Sequence, residues 1–561
     1  MTHSDDARTR ARRLIEGLVA RGLGGAVVSP GSRNAPLMEA LENAGIRCVV
    51  ALDERAAAHH ALGMALALGR PVAVTCTSGT AALNHAPALS EADRSGLPLI
   101  SLTADRPAGA ADQWESQTLV QTGVHAPHVR ASFTWKPAGA SDAESALEEM
   151  SHAWSSGPIH INCPFDEPLY PDSSRPPLTE RWALPEPQPF PPVSVDVEAL
   201  SAFTERICDA ARAGRRILLL GGTQPTPLSR ASLDAWAEFS VLAGDSTSGL
   251  GAHPQTIVAL DRWMRGWNRT PESNRPALPD LVVTFGAPLL SKALRHALRA
   301  QQVEQIHLDP GGRRPRAFGG DSSGFTLPIG PALEAAAHAV KPTSSAPEWR
   351  SDWIELEARM RHAHGGALAA APWCDLTVHA RLHAALPPQT HLHLANSTPV
   401  RYAQLFHDAQ RPQPWSNRGV AGIDGCSSTA VGAALAGQRV TLISGDLGFL
   451  YDANAFHVHP LPATLRIAVI HNGGGGVFRW LPGPIKTGLL PTHFEMRHGL
   501  ELRSVCDLHG LEHQRVESMA ELDAALEHWW SESEVPRVLE IATPPEQSAE
   551  AHAAYMERVS A

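Results

Sequence analysis

The most constraining feature of this sequence is a repeated exchange of short apolar runs and helix-length segments. In the first third, Gly25 to Ser29, Cys48 to Leu52, Val72 to Cys76 and Leu99 to Leu102 are strand-length and aliphatic, and helical patterns fill the gaps, most clearly Glu54 to Leu68. The scheme returns at Ile217 to Leu220, Leu281 to Phe285 and Gln305 to Leu308, and again at His391 to Leu394, Val440 to Ser444, Leu465 to Ile470 and Arg537 to Ile541. Strands that alternate with helices pair in parallel, the helices cover both sheet faces, and ligands bind at the loops leaving the strands' C-terminal ends. In the first region those loops begin at Ser29, Asp53, Thr77 and Thr103. The expected fold is α/β with three doubly wound parallel-sheet domains in series, over residues 1–180, 195–340 and 350–561. The proline-rich stretch 173–194 and Lys341-Pro-Thr-Ser-Ser-Ala-Pro read as the linkers between them.

Composition narrows the function. With 47 basic against 58 acidic residues the formal charge is −11, so no global positive field draws the chain to nucleic acid or anionic lipid. Anionic ligands must be held by local arginines. The seven cysteines are scattered, with no CxxC pair and no zinc-type spacing, which fits a reducing cytoplasm. The polar N-terminus lacks an apolar signal core, and no apolar run approaches the ~20 residues of a membrane helix, so a cytoplasmic protein is expected.

Chemistry concentrates in two loops of the last region. Gly445-Asp446-Leu447-Gly448-Phe449 follows one expected strand, and His471-Asn472-Gly473-Gly474-Gly475-Gly476 follows another, with Asp446 and Asn472 26 residues apart. A carboxylate, an amide oxygen and a glycine carbonyl form a hard oxygen set suited to Mg²⁺ or Mn²⁺, and glycines let the backbone approach phosphates closely. The set Asp446, Asn472 and Gly474 is the expected metal site. Glu54 opens a helix just past a strand, beside Asp53, and acidic residues at that position are commonly caps. His59 and His60 share that helix but face away from Glu54 at ~100° per residue and are expected to be structural. Leu220-Gly-Gly-Thr-Gln after a middle-region strand suggests a nucleotide loop, the remote alternative of a non-catalytic binding protein, but no GxGxxG helix entry follows.

Five further motifs occur in order: Ser29-Pro-Gly-Ser-Arg-Asn-Ala-Pro-Leu37, Asp53-Glu-Arg-Ala-Ala-Ala-His, Thr77-Ser-Gly-Thr-Ala-Ala, Leu102-Thr-Ala-Asp-Arg-Pro107 and Ser416-Asn-Arg-Gly-Val-Ala-Gly-Ile-Asp-Gly425. With the two glycine loops, the chain resembles, over essentially its full length, the 2-succinyl-5-enolpyruvyl-6-hydroxy-3-cyclohexene-1-carboxylate synthases of menaquinone biosynthesis, a family of thiamine diphosphate enzymes. The resemblance implies a transferase that decarboxylates 2-oxoglutarate and adds the succinyl carbanion equivalent to isochorismate. The nearest alternative is another thiamine diphosphate-dependent 2-oxo acid carboligase.

Residue roles follow from the same resemblance. Glu54 is placed on the cofactor's aminopyrimidine, a task that calls for a poorly hydrated carboxyl in an apolar pocket. Gly79, Ile423, Gly445, Asp446, Leu447, Asn472, Gly474, Val477 and Phe478 are placed around the cofactor, with Ile423 propping its bent form and Val477 and Phe478 lining an apolar wall. Arg33, Arg106, Gln117 and Lys292 are assigned mainly to isochorismate, Ser397 with Arg401 to the distal carboxylate of 2-oxoglutarate, and Ser32 to the substrates in general. Arg418 joins Glu54, Arg33 and Gln117 at the reacting region. Arginine suits this task because its planar fork binds carboxylates in pairs of hydrogen bonds. The family also implies a cofactor held between two chains, hence a homodimer and plausibly a homotetramer. Three departures stand out: Leu447 where the metal motif usually has glycine, Ala293 where some relatives carry a second basic residue that Arg295 would have to replace, and a glycine run whose ordering is costly.

Overall fold

The computed structural model describes residues 6–171, 195–340 and 346–560; the first expected linker and the start of the second lie outside the described residues. Among the described residues, sixteen strands form three sheets in which every paired strand runs parallel. The first contains β1 (Gly25–Val28), β2 (Cys48–Val50), β3 (Val72–Cys76), β4 (Leu99–Asp105), β5 (Ala131–Thr134) and β6 (Ile159–Pro164), in the spatial order β2-β1-β3-β4-β6-β5. The second contains β7 (Ile217–Gly221), β8 (Val241–Gly244), β9 (Leu281–Phe285), β10 (Glu304–Leu308) and β11 (Ser322–Phe325), ordered β11-β10-β9-β7-β8. The third contains β12 (His391–Leu394), β13 (Val440–Gly445), β14 (Arg466–His471), β15 (Glu512–Val516) and β16 (Arg537–Ala542), ordered β12-β13-β14-β16-β15.

Eleven of these strands were expected; β5, β6, β8, β11 and β15 were not. The β4 strand continues through Thr103 to Asp105, so its loop begins at Arg106 rather than Thr103. The middle strands β7 and β9 are buried along their whole length, as all-aliphatic strands covered on both faces must be.

Compactness does not follow chain order. One unit comprises residues 1–193, 419–438 and 452–462, and the other 194–418, 439–451 and 463–561. Within the first unit, the helix Cys426–Leu435 lies against the helix Glu54–Leu68 at very short range. A Cβ at Gly63 would stand 2.0 Å from the Thr429 carbonyl oxygen, and one at Gly432 2.1 Å from that of His60. Glycine at both positions is what lets the two backbones touch. Helix Glu54–Leu68 begins where Asp53 accepts hydrogen bonds from the Arg55 and Ala56 amides and ends at Gly69 in the left-handed conformation, φ 60°. His59 and His60 are buried, the latter bonded through Nε2 to the Ala455 carbonyl at 2.9 Å, so both are structural as expected.

The Leu220-Gly-Gly loop is not a phosphate cradle. A Cβ on Gly222 would meet the Ala287 carbonyl oxygen at 1.8 Å, and one on Gly221 the Phe285 ring at 2.7 Å. These glycines serve close packing. Among the described residues no helix is long and apolar enough to cross a membrane.

Candidate active site

In the second unit, register brings the metal-type residues together. β13 and β14 are neighbours with Gly445 opposite Ile470, so Asp446 and Asn472 leave the same sheet edge side by side. Asp446 is buried; its Oδ1 accepts from the Leu447 amide at 2.7 Å and its Oδ2 from the Gly474 amide at 3.0 Å. Burial pushes the Asp446 carboxyl up, opposed by His471 and His498 nearby and by those amides. Asn472 donates through Nδ2 to Asp375 Oδ2 at 2.9 Å, which turns its Oδ1 to the other side as a free hard ligand. Gly474 has φ 147°, and a Cβ there would strike the Glu495 carbonyl oxygen at 2.3 Å, so only glycine fits. Its own carbonyl accepts from the Gly476 amide at 3.0 Å and keeps a second lone pair. Gly445 and Leu447 flank Asp446, and no described atom comes within 4 Å of a Cβ built on Gly445, so the edge above it is open. These donors fit a divalent ion shared with a diphosphate.

Asp375 and Glu540 were not anticipated. Asp375, buried at the start of helix Asp375–Ala385, also accepts from Ser548 Oγ at 3.1 Å and from Thr543 Oγ1, and holds Asn472 in place. In sequence it looks like an ordinary acidic helix start. Also unanticipated is a cluster of Asp446, His471 and His498, whose ligand-capable atoms lie within 4.8 Å of one another.

Beyond the glycine run, Val477 lines a cavity of about 470 Å³ together with Lys292, Arg401, Asp245, Asp261 and Trp480. Phe478 turns instead to Phe494, ring centroids 5.6 Å apart, and is not among the cavity's lining residues. Lys292 opens the helix Lys292–Ala300 and is exposed; Arg401 sits on the helix Thr398–Ala403, with Nη1 3.4 Å from the Leu290 carbonyl and 3.9 Å from Asp261. Ser397, one turn before Arg401, holds a left-handed backbone at φ 79°, a conformation that costs a non-glycine residue about 1–3 kcal/mol and clusters at functional sites. Next to it, Asn396 Oδ1 accepts from Arg418 Nη1 at 2.7 Å. Asp245 ties the set together: burial pushes its carboxyl up to about 7, while Arg418, the Leu290 amide and Arg401 pull it down. Ala293 lines the cavity and Arg295 does not; the additional cations on its wall are Arg262 and Arg265, paired with Glu357 and Glu557. Arg295 therefore does not substitute for the missing basic residue.

The first unit holds the remaining residues. Gly31 lets the loop after β1 press on Thr77, whose side chain a Cβ would meet at 2.3 Å. Ser32 is exposed, whereas Arg33 is buried, donating through Nη1 to the Phe165 carbonyl at 3.0 Å and pairing with Glu167 at 3.1 Å. Arg106 pairs with Glu115 at 3.0 Å, and its amide donates to Asp105 Oδ1 at 2.8 Å. Asp105, also unanticipated, takes Asn162 Nδ2 at 2.8 Å; burial raises its carboxyl, and Asn162, the Arg106 amide and Arg33 oppose the rise. Gln117 is exposed with φ 59°, and its carbonyl accepts from Ser78 Oγ at 3.0 Å. Gly79, φ 87°, has its Cβ position 3.4 Å from Gln117, so the third and fourth loops meet there. Glu54 is half-buried and makes no hydrogen bond among the described residues. Ile423 is half-buried in the loop that Glu91 anchors through the Gly419 and Val420 amides, at 2.7 and 2.9 Å.

Comparison with known proteins decides the family. Residues 8–124 match the thiamine pyrophosphate enzyme N-terminal TPP binding domain. The 2-succinyl-5-enolpyruvyl-6-hydroxy-3-cyclohexene-1-carboxylate synthase of Porphyromonas gingivalis is 35% identical, covering 98% of this chain and 96% of its own. The chain belongs to this synthase family. The synthase of Geobacillus kaustophilus is 34% identical, with 92% of each chain covered. The thiamine diphosphate-dependent 4-hydroxybenzoylformate decarboxylase of Rhodococcus jostii RHA1 superposes with a TM-score of 0.68 at 17% identity, over 96% of this chain and 99% of that one, a likeness of fold. The chain is thus a thiamine diphosphate-dependent, carbon–carbon bond-forming enzyme of the synthase family.

Proposed function

We propose that this synthase family member decarboxylates 2-oxoglutarate and adds the succinyl carbanion equivalent to isochorismate by 1,4-addition, in menaquinone biosynthesis. The observation that carries the reading is one cavity bearing both Lys292 and Arg401, with Ser397 and Arg418 joined to it through Asn396 and Asp245. Both substrates carry two carboxylates, and fixed cations are what a dicarboxylate needs. When bound, thiamine diphosphate supplies a nucleophilic carbon and an electron sink for CO₂ loss. Asp446, Asn472 and Gly474 hold its metal, Mg²⁺ or Mn²⁺, with Gly445 and Leu447 beside the diphosphate. Glu54 hydrogen-bonds the pyrimidine ring and moves its proton, Gly79 and Ile423 position the ring, and Val477 excludes water.

Arg401 with Ser397 takes the distal carboxylate of 2-oxoglutarate; Ser32, Arg33, Arg106, Gln117 and Lys292 take isochorismate. In this reading Arg33 and Arg106 exchange Glu167 and Glu115 for substrate carboxylates, and Arg418 faces the reacting carbon. The regions 1–180, 195–340 and 350–561 act as pyrimidine-binding, central and diphosphate-binding domains, and the site is completed between copies, so a homodimer is the smallest active unit and a tetramer its doubling. The enzyme works in the cytoplasm. Release of CO₂ from 2-oxoglutarate with cofactor and Mg²⁺, at a rate far above that from pyruvate, is the expected result; equal rates, or none from 2-oxoglutarate, would overturn the donor assignment.

A further inference from the structure

The end of β14 and the loop before the helix Leu502–His509 bring two imidazoles to the carboxylate of Asp446. His471 Nε2 stands 3.9 Å and His498 Nε2 3.4 Å from Asp446 Oδ2, and the two rings stack with centroids 5.4 Å apart. Two donors each about 2.1 Å from an ion are at most about 4.2 Å apart, so either nitrogen is within reach of an ion on that oxygen.

The partners of the other ring nitrogens separate the two histidines. His471 Nδ1 lies 2.8 Å from Glu540 Oε1. A carboxylate oxygen at that distance accepts the ring's hydrogen bond, so Nδ1 carries the proton and the unprotonated Nε2 is left 3.9 Å from Asp446 Oδ2. A carboxylate behind a histidine, fixing its tautomer and raising its basicity, is the recurrent arrangement behind metal-bound imidazoles. His498 is the reverse case. Its Nδ1 accepts from the Leu500 amide at 3.3 Å, so the neutral ring carries its proton on Nε2, which stands 3.4 Å from Asp446 Oδ2 without forming a hydrogen bond to it.

We propose that His471 Nε2 is a ligand of the metal held by Asp446, with His498 stacked on its ring beside the same carboxylate. The proposal rests on the cofactor-binding reading above and adds a nitrogen to its oxygen ligands. An imidazole shifts preference from Mg²⁺ toward Co²⁺, Ni²⁺ and Zn²⁺, while Mn²⁺ remains acceptable.

The test is pulsed electron paramagnetic resonance on the full-length protein, labelled with ¹⁵N-histidine and loaded with thiamine diphosphate and Mn²⁺. A directly coordinated histidine ¹⁵N coupling is expected, lost in His471→Gln and kept in His498→Gln. The ratio of Co²⁺ to Mg²⁺ affinity is expected to fall at least tenfold in His471→Gln. Mn²⁺ bound with cofactor but without the coupling overturns the proposal and leaves the proposed function standing, as does a coupling lost only in His498→Gln. Failure of Mn²⁺ and cofactor to bind together overturns both. The wild-type spectrum decides even if His471→Gln does not fold.

Discussion

At the scale of the residue, Asp53 frees Glu54 from the capping task, as the proposed role of Glu54 requires. Asp53 takes the capping hydrogen bonds of the helix, which leaves the Glu54 carboxyl without a hydrogen bond among the described residues. Glu54→Gln is expected to bind thiamine diphosphate with little change while turnover falls at least about 10²-fold, the scale of a lost proton-transfer group; titration calorimetry beside single-turnover kinetics checks both halves, and near wild-type turnover would remove Glu54 from the mechanism. Asp375 acts through Asn472, so Asp375→Ala should weaken metal binding about 10- to 100-fold while Asp446 stays in place. An unchanged affinity in a metal titration would show that Asn472 needs no such support. Asp446 and Asn472 were legible as neighbours because both follow strands of one sheet, whereas Asp375 reaches Asn472 across 97 residues and Glu540 reaches His471 across 69, and only folding reveals these pairings.

At the scale of the element, the strands missed in the sequence have a common physical origin. β5, β8, β11 and β15 are sheet edges, and three of them are half-exposed, with sequences such as Ser-Ser-Gly-Phe and Glu-His-Gln-Arg-Val that show no aliphatic run. β6 is interior, but His160 and Asn162 interrupt its apolar pattern; both bond to Thr103 of β4, His160 through Nε2. Helix Glu54–Leu68 was legible, but its partner was not, because the contact depends on glycines 369 positions apart. Gly63→Ala should force the helix away from Cys426–Leu435 and destabilise the first unit by about 1–3 kcal/mol or more. A lowered denaturation midpoint with Gly69→Ala as a control for backbone strain alone checks this; an unchanged midpoint in Gly63→Ala would mean that the helices do not meet there.

At the scale of the whole molecule, buried histidines set the response to acid. Burial pushes His60, His125, His307 and His552 down to about 4, and His85, His160, His383 and His393 to about 3, from an ordinary 6.5. The unfolded chain therefore binds more protons below about pH 6.5, and stability falls as pH drops toward 4. Asp245 and Asp452, pushed by burial up to about 7, and Asp105, Asp261, Asp375 and Asp446, raised by the same cause, work in the opposite sense, holding protons more tightly when folded, but the lowered histidines, with His59, His379 and His407 added, outnumber them. Urea midpoints should be lower at pH 5 than at pH 7.5; a rise would mean that the histidines are charged in the folded chain.

The central claim is that the cations of this chain hold two dicarboxylates for carbon–carbon bond formation. Its most direct test follows isochorismate absorbance with the purified protein, 2-oxoglutarate, thiamine diphosphate and Mg²⁺, and identifies the product by mass. The account predicts isochorismate loss that requires both 2-oxoglutarate and cofactor, with a product heavier by the succinyl unit left after CO₂ loss. Release of CO₂ with isochorismate unconsumed would contradict it.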